Sequence, residues 1–185
     1  MIERTLVLVK PDGVQRCLIG KVIQRFENVG LKIVGMKMVW IDKEFAQKHY
    51  TDDITKRRGE KVRNLLLDLI TMGPVVAMVL EGISAVEIVR KMTGETEPSS
   101  AAPGTIRGDF AHVSFPYADE IERAVRNIIH ASGNSKEAKE EVKLWFKDEE
   151  MHSYETVHDK HSLHKWGKLR WQKKWLIWLL GLLRT

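Results

Sequence analysis

Short β-rich runs that stop at glycine or proline alternate with stretches whose apolar residues recur every three or four positions, and this alternation predicts an α+β fold. The order β-α-β-α-β-α, closed by a fourth strand and a last helix, makes it a two-layer sandwich of ferredoxin-like type, an antiparallel four-stranded sheet with covering helices. At 185 residues and 43% hydrophobic, the chain is long and apolar enough for one domain with a real core, plus an appendage.

Arg4 to Val9 (Arg-Thr-Leu-Val-Leu-Val) reads as a buried strand that stops at the turn Lys10-Pro11-Asp12-Gly13. Ile19, Val22, Ile23 and Phe26 follow at helical steps, and Gly30 closes that helix. Leu31 to Trp40 reads as the second strand and Lys43 to Tyr50 as a helix. Lys61 to Ile70 sets Val62, Leu65, Leu66, Leu69 and Ile70 on one apolar stripe before Gly73-Pro74. Pro74 to Leu80 is a third buried strand, and Ser84 with Glu87 has the pattern of a capping box opening a helix to about Met92. Gly94 to Asp119 carries prolines and glycines without a sustained period, the composition of a long ordered loop with a function. Arg126 to Ile129 reads as a brief strand ending at His130, and Ser135 as the cap of a helix with Ala138, Val142, Trp145 and Phe146 on its inner side.

A single cysteine, Cys17, excludes an internal disulfide framework and a cysteine-rich zinc module, and makes a reducing, cytoplasmic compartment the expectation. The first apolar stretch meets Lys10-Pro11-Asp12 too early for a signal peptide, and the longest apolar run, Trp175 to Leu183, is nine residues, too short to cross a bilayer. The net charge of +5 suits an anionic partner, yet 30 Lys and Arg are spread among 25 acids, a balance that fits phosphorylated small molecules as well as nucleic acid.

Three places gather polar groups that apolar packing does not ask for: Lys10 with Asp12 and Gly13, then Arg90, Thr96 and Arg107, then Asn127 with His130. Two arginines and a hydroxyl bind phosphate oxygens by charge-assisted, partly bidentate hydrogen bonds, a lysine adds a point charge, and a nearby histidine is a candidate nucleophile. Taken singly, each also has the plainer reading of a solvated cation at an element's end or a structural histidine.

The longer motifs are more specific. Val9 to Arg16 (Val-Lys-Pro-Asp-Gly-Val-Gln-Arg), Gly73 to Met78 (Gly-Pro-Val-Val-Ala-Met), Gly94-Glu95-Thr96, Pro103 to Phe110 (Pro-Gly-Thr-Ile-Arg-Gly-Asp-Phe) and Arg126 to Ser132 (Arg-Asn-Ile-Ile-His-Ala-Ser) run in one order across residues 3–150. Together they closely resemble the signatures of the nucleoside diphosphate kinases.

That resemblance implies ping-pong transfer of the γ-phosphate of a nucleoside triphosphate to a nucleoside diphosphate through a phosphohistidine, which maintains the cell's pool of triphosphates. Mg²⁺ is carried by the nucleotide phosphates, with no metal ligand from the protein. The resemblance assigns His130 as nucleophile, Glu141 as the acid that hydrogen-bonds its ring, and Ser132 as the group that orients the acid. It puts Arg90, Thr96 and Arg107 on the phosphates, Lys10 and Asn127 on ribose hydroxyls and phosphate, and Tyr50 behind Lys10. Asp109 and Gly13 are assigned to architecture, Asp109 by tying loop backbone and Gly13 by allowing a tight turn. The implied partners are nucleoside tri- and diphosphates and further copies of the chain, as a hexamer or tetramer, with no specific nucleic acid. An imidazole suits the task, being largely neutral at cytosolic pH and able to attack phosphorus without first losing a proton.

The sequence departs from the family pattern in three places. Asp52 to Val62 lacks the usual aromatic that stacks on the base; Val62 is the nearest apolar candidate and gives contact without stacking, so base discrimination is expected to be poor. The stretch between Phe110 and Arg126 is longer than in most of the family, resembles archaeal members, and reads as an exposed loop, a rim or a subunit contact. Gly133 stands where many relatives have an acid that helps hold the metal's water. The alternative is a catalytically reduced member that binds nucleic acid or membranes, against which the joint presence of Lys10, Arg90, Thr96, Arg107, Asn127 and His130 argues.

Residues 1–150 thus read as the kinase domain and 151–185 as a basic, Trp- and Leu-rich extension. The extension reads as a helix packing on the domain or a neighbouring subunit, as an interfacial helix on an anionic membrane surface, or as a lineage-specific or disordered end. His152, His158, His161 and His164 have no supporting cysteine and make only a weak metal site.

Overall fold

The computed structural model describes residues 2–162, so the readings made on the tail from residue 163 onward lie outside the described residues. One compact unit runs to Tyr154 and a second begins at Glu155. In the second, a short helix over Val157–Ser162 is capped by Thr156 and Asp159, each backbone N–H donating to the other's side chain.

The first unit opens with strand β1 (Ile2–Val9), the short helix α1 (Pro11–Gln15), helix α2 (Ile19–Asn28) and strand β2 (Lys32–Val39). Three helices follow, α3 (Lys43–His49), α4 (Asp52–Arg58) and α5 (Glu60–Thr71), before strand β3 (Val75–Ile83) and helix α6 (Ala85–Thr93). The chain then passes through α7 (Ile106–Phe110) and α8 (Phe115–Glu120) to the short strand β4 (Ile129–Ala131) and helix α9 (Ser135–Trp145). The sheet is antiparallel with strand order β2-β3-β1-β4. The ferredoxin-like unit is β1-α2-β2-β3-α6-β4, and the helices between β2 and β3, with α9, are added to it.

Successive strand residues face opposite sides of a sheet. Leu6 and Leu8 of β1, with Ala77 and Val79 of β3, pack under α3, α5 and α9, against Ala46, Leu67, Ile70 and Trp145. Val7 and Val9, with Met78 and Leu80, pack under α2 and α6, against Val22, Phe26 and Val89. Both faces are covered, which is why β1 and β3 read as continuous apolar runs rather than alternating ones.

Several local expectations are corrected. Lys10 to Gly13 is not a turn: Pro11 occupies the first position of α1, where its missing N–H costs nothing. Gly13 serves close approach rather than a turn, since a Cβ there would lie 2.8 Å from Ile128 Cγ2 and 2.9 Å from Val9 Cγ1. Ser84 forms no side-chain cap; it is left-handed at φ 49°, and the Glu3 carboxylate of β1 accepts the Val86 N–H instead, at 3.1 Å. The cap of α9 is Asn134, whose side chain accepts from Lys136 and Glu137 N–H, and not Ser135. The long loop after Gly94 contains α7 and α8, each opened by a hydroxyl cap, Thr105 and Ser114. The last strand is Ile129–Ala131 rather than Arg126 to Ile129, because Ile128 sits at φ 71°, where no strand continues.

Candidate active site

The register fixes where His130 points. It pairs with Leu8 of β1 and therefore faces the same side of the sheet, toward α3 and α9. There its Nε2 meets the Glu141 carboxylate of α9, at 3.0 Å from Oε1 and 3.1 Å from Oε2. Ser132, next but one along the chain and fully buried, donates its hydroxyl to Glu141 Oε2 at 2.6 Å. An ionised carboxylate only accepts, so the imidazole proton is on Nε2 and the lone pair is on Nδ1. Burial raises the Glu141 pKa, but His130, with His49 and the Ser132 hydroxyl, outweighs it and holds the acid below the usual carboxylate range.

The approach to His130 is built by a strained residue. Ile128 is fully buried, β-branched and at φ 71°, a conformation that costs about 1–3 kcal/mol. Its N–H donates to Asp12 Oδ2 of α1 at 2.8 Å, and its carbonyl accepts the Lys10 N–H at 2.8 Å. The adjacent Asn127 accepts from Lys10 Nζ through Oδ1 and donates from Nδ2 to the Thr96 carbonyl at 2.7 Å. Burial, opposed by Asp12 and reinforced by Arg107, lowers the Lys10 pKa to about 8.

Arg107 of α7 is buried and donates to the Gly94 carbonyl at 3.0 Å and the Ile129 carbonyl at 2.8 Å, while its Nε has no partner among the described residues. Burial and then Arg90 lower its pKa to about 10. Lys10, Arg90, Thr96, Arg107, Asn127 and His130 all line one cavity of about 550 Å³. Of the other expected residues, Val62 and Tyr50 line it too, and Tyr50 is buried with its ring 4.7 Å from that of His49. The Lys10 ammonium reaches Asn127, whereas the buried Tyr50 has its phenol pKa pushed up by burial and by Glu141 and Asp12. Asp109 ties loop backbone as expected, accepting the Gly104 N–H at 2.7 Å and pairing with Arg25 at 2.6 Å.

Two groups of residues escaped the sequence reading. His49, at the end of α3, has a fully buried side chain whose ring stands edge-to-face with His130, centroids 4.6 Å apart. Its Nδ1 accepts from Trp145 Nε1 at 3.3 Å, its Nε2 has no partner among the described residues, and burial followed by His130 lowers its pKa to about 3. A neutral ring of this kind leaves Glu141 to His130. The signal for it was its place three residues after Ala46, on the one buried face of α3. The second group is Phe115, Asp119, Arg123, Ala124 and Val125, which carry the lengthened segment into the wall of the cavity. That segment is a rim, built on the Ser114 cap.

A histidine braced by a carboxylate, at a cavity of an α+β fold walled by buried and exposed cations, is an arrangement suited to phosphoryl transfer. The family model described as nucleoside diphosphate kinase matches residues 3–151. The nucleoside diphosphate kinase of Borreliella burgdorferi is 50% identical over 155 residues, 83% of this chain and 93% of its own. That of Pyrococcus furiosus is 53% identical over 153 residues, 83% of this chain and 88% of its own. Among solved structures, a transition-state mimic of the Borrelia burgdorferi nucleoside diphosphate kinase with vanadate and ADP superposes with a TM-score of 0.84 at 49% identity, over 86% of this chain and 95% of that one. A halophilic nucleoside diphosphate kinase from Halobacterium salinarum in complex with CDP gives 0.74 at 38% identity, over 89% and 100%. The chain belongs to the nucleoside diphosphate kinase family.

Proposed function

We propose that this member of the family transfers the γ-phosphoryl group of a nucleoside triphosphate to a nucleoside diphosphate through Nδ1 of His130. The observation that supports this most strongly is the Glu141 carboxylate on Nε2, which leaves Nδ1 as the free ring nitrogen beside the cations of the cavity. Nδ1 attacks the γ-phosphorus, the bond to the β-phosphate oxygen breaks, and the diphosphate leaves. The second half-reaction reverses these bonds with a β-phosphate oxygen of the acceptor. Glu141 keeps the Nε2 proton and stabilises the cationic ring formed on phosphorylation. Arg90, Arg107, Lys10 and Thr96 bind phosphate oxygens, Asn127 and Lys10 bind the ribose hydroxyls, and buried Tyr50 supports Lys10.

The donor set of the cavity fits a magnesium–nucleotide complex better than a bare divalent ion. Among the described residues, the one trio of ligand-type side chains is His49, His130 and Glu141, which braces the nucleophile, and at Gly133 the nearby Glu137 carboxylate is taken up by the Gly133 N–H and Asn134. When bound, Mg²⁺ neutralises charge on the phosphate oxygens. We also propose a homo-oligomer, hexamer or tetramer, supported by Met36, Met38 and Trp40 at or beside the edge strand β2, each more than half exposed. A cytoplasmic site of action accords with Cys17, a free and exposed thiol.

The reading is tested by incubating the protein and its His130→Ala variant with γ-labelled ATP and Mg²⁺. Acid-labile, base-stable label on the wild type alone, chased onto GDP, is the expected result; label on neither protein overturns the reading. Light scattering gives the mass in solution, and a monomer overturns the oligomer.

A further inference from the structure

We propose that Phe115, at the start of α8, is the aromatic surface on which the nucleotide base stacks, and that it makes the enzyme prefer purine over pyrimidine nucleotides. The inference rests on the reading of the cavity as a nucleotide site. The family's usual aromatic is absent from the α4–α5 hairpin, where Val62 lines the cavity instead. Among the described residues, and apart from the ring of His130, the aromatic side chains lining the cavity are Tyr50, buried with its ring against that of His49, and Phe115.

Phe115 is placed, not merely near. Its N–H donates to Glu97 Oε1 at 2.6 Å, and Glu97 follows directly on Thr96, whose carbonyl holds Asn127. The ring is thereby tied to the same loop that orients the ribose and phosphate ligands. Its side chain is half-buried, and the guanidinium of Arg58 at the end of α4 lies over the ring, 5.9 Å from its centroid, so the face turned toward the hairpin is covered by a planar cation. A second contact, Lys61 of α5 with Glu122, two residues past the end of α8, at 2.8 Å, joins the hairpin to the same segment. The mouth between hairpin and α8 therefore has Phe115 on one side and Ile54, Arg58 and Val62 on the other. A flat base that takes the place of the Arg58 guanidinium over the ring stacks on Phe115, and a purine, with two fused rings, covers more of the ring than a pyrimidine does.

Calorimetric titration of the full chain and its Phe115→Ala, Phe115→Leu and Phe115→Trp variants with ADP, GDP, CDP and UDP, all with Mg²⁺, tests this. The wild type is expected to bind the purines more tightly. In Phe115→Ala and Phe115→Leu, Kd for ADP and GDP rises about tenfold and for CDP and UDP less than about threefold. Phe115→Trp restores the purine-to-pyrimidine ratio. An equal loss for all four nucleotides, or no loss, overturns the proposal; if the alanine variant melts early, the leucine variant decides by the same ratio. A wild type that binds none of the four overturns the nucleotide reading itself, whereas a wild type that binds them and labels His130 while the ratio ignores Phe115 overturns this inference alone.

Discussion

The Asp12 carboxylate accepts the backbone N–H of Ile128 at 2.8 Å, and so holds a β-branched residue at φ 71° one residue before the strand that carries His130. The strained peptide in turn aims Asn127 at Lys10 and starts β4 in register with Leu8. Asp12→Ala leaves the buried N–H without an acceptor and is expected to lower stability by about 2 kcal/mol in urea unfolding. A loss below about 0.5 kcal/mol, the scale of an ordinary surface change, would show that the strain is held elsewhere.

Lys10 gives two opposed pH signals. Its pKa falls from 10.5 to about 8 in the folded chain, so between those values the unfolded state holds more protons and stability contributed by this group rises with pH. Phosphate binding needs the charged form and weakens over the same window. The expected profile is a fall in kcat/KM above about pH 8 while the urea midpoint moves the other way. Lys10→Arg, charged throughout, is expected to flatten the kcat/KM limb; a limb unchanged in that variant assigns the titration to another group.

His49 makes the fold acid-sensitive from the opposite side. Its pKa drops from 6.5 to about 3 on burial, so as pH falls between those values the unfolded state takes up a proton that the native state does not, and stability is lost. Near pH 4.5 the loss relative to pH 7 is expected to be about 2 kcal/mol. His49→Phe, which fills similar space without titrating, is expected to show a shallower loss in urea unfolding at the two pH values; an equal slope would place the acid sensitivity in Glu141 and the other carboxylates.

The first three strands and the amphipathic helices were legible because both leave marks in one dimension: the continuous apolar run Leu6 to Val9 of a strand covered on both faces, or Val22 and Phe26 at a four-residue step. Capping was less legible, because the acceptor for the start of α6 is Glu3, eighty-three positions away, and local pattern points only to Ser84. The site residues that sit in long motifs were readable by resemblance, from Lys10 to His130. His49 and Phe115 were not, since one looks like an ordinary polar residue in a helix and the other lies where the chain departs from the pattern. Their roles arise from edge-to-face contact with His130 and from closure of the cavity, and both exist only after α3 and α8 are placed.

Glu141 and Ser132 separate positioning from charge. Glu141→Gln keeps a side chain of the same length, but its amide carries no charge to stabilise the cationic ring that the proposed phosphorylation of Nδ1 would form. Ser132→Ala keeps that charge and removes the 2.6 Å hydrogen bond that fixes the carboxylate's orientation, together with the acceptor for the Leu6 N–H at 3.3 Å. Losing an outer partner of a working histidine typically costs about 10- to 100-fold. Glu141→Gln is therefore expected to slow single-turnover labelling of His130 by about 10- to 100-fold, and Ser132→Ala by less than about tenfold. Because Ser132 acts through Glu141, the double variant is expected to be no slower than Glu141→Gln alone. Losses that multiply would mean that the hydroxyl acts on His130 by a route that bypasses the acid.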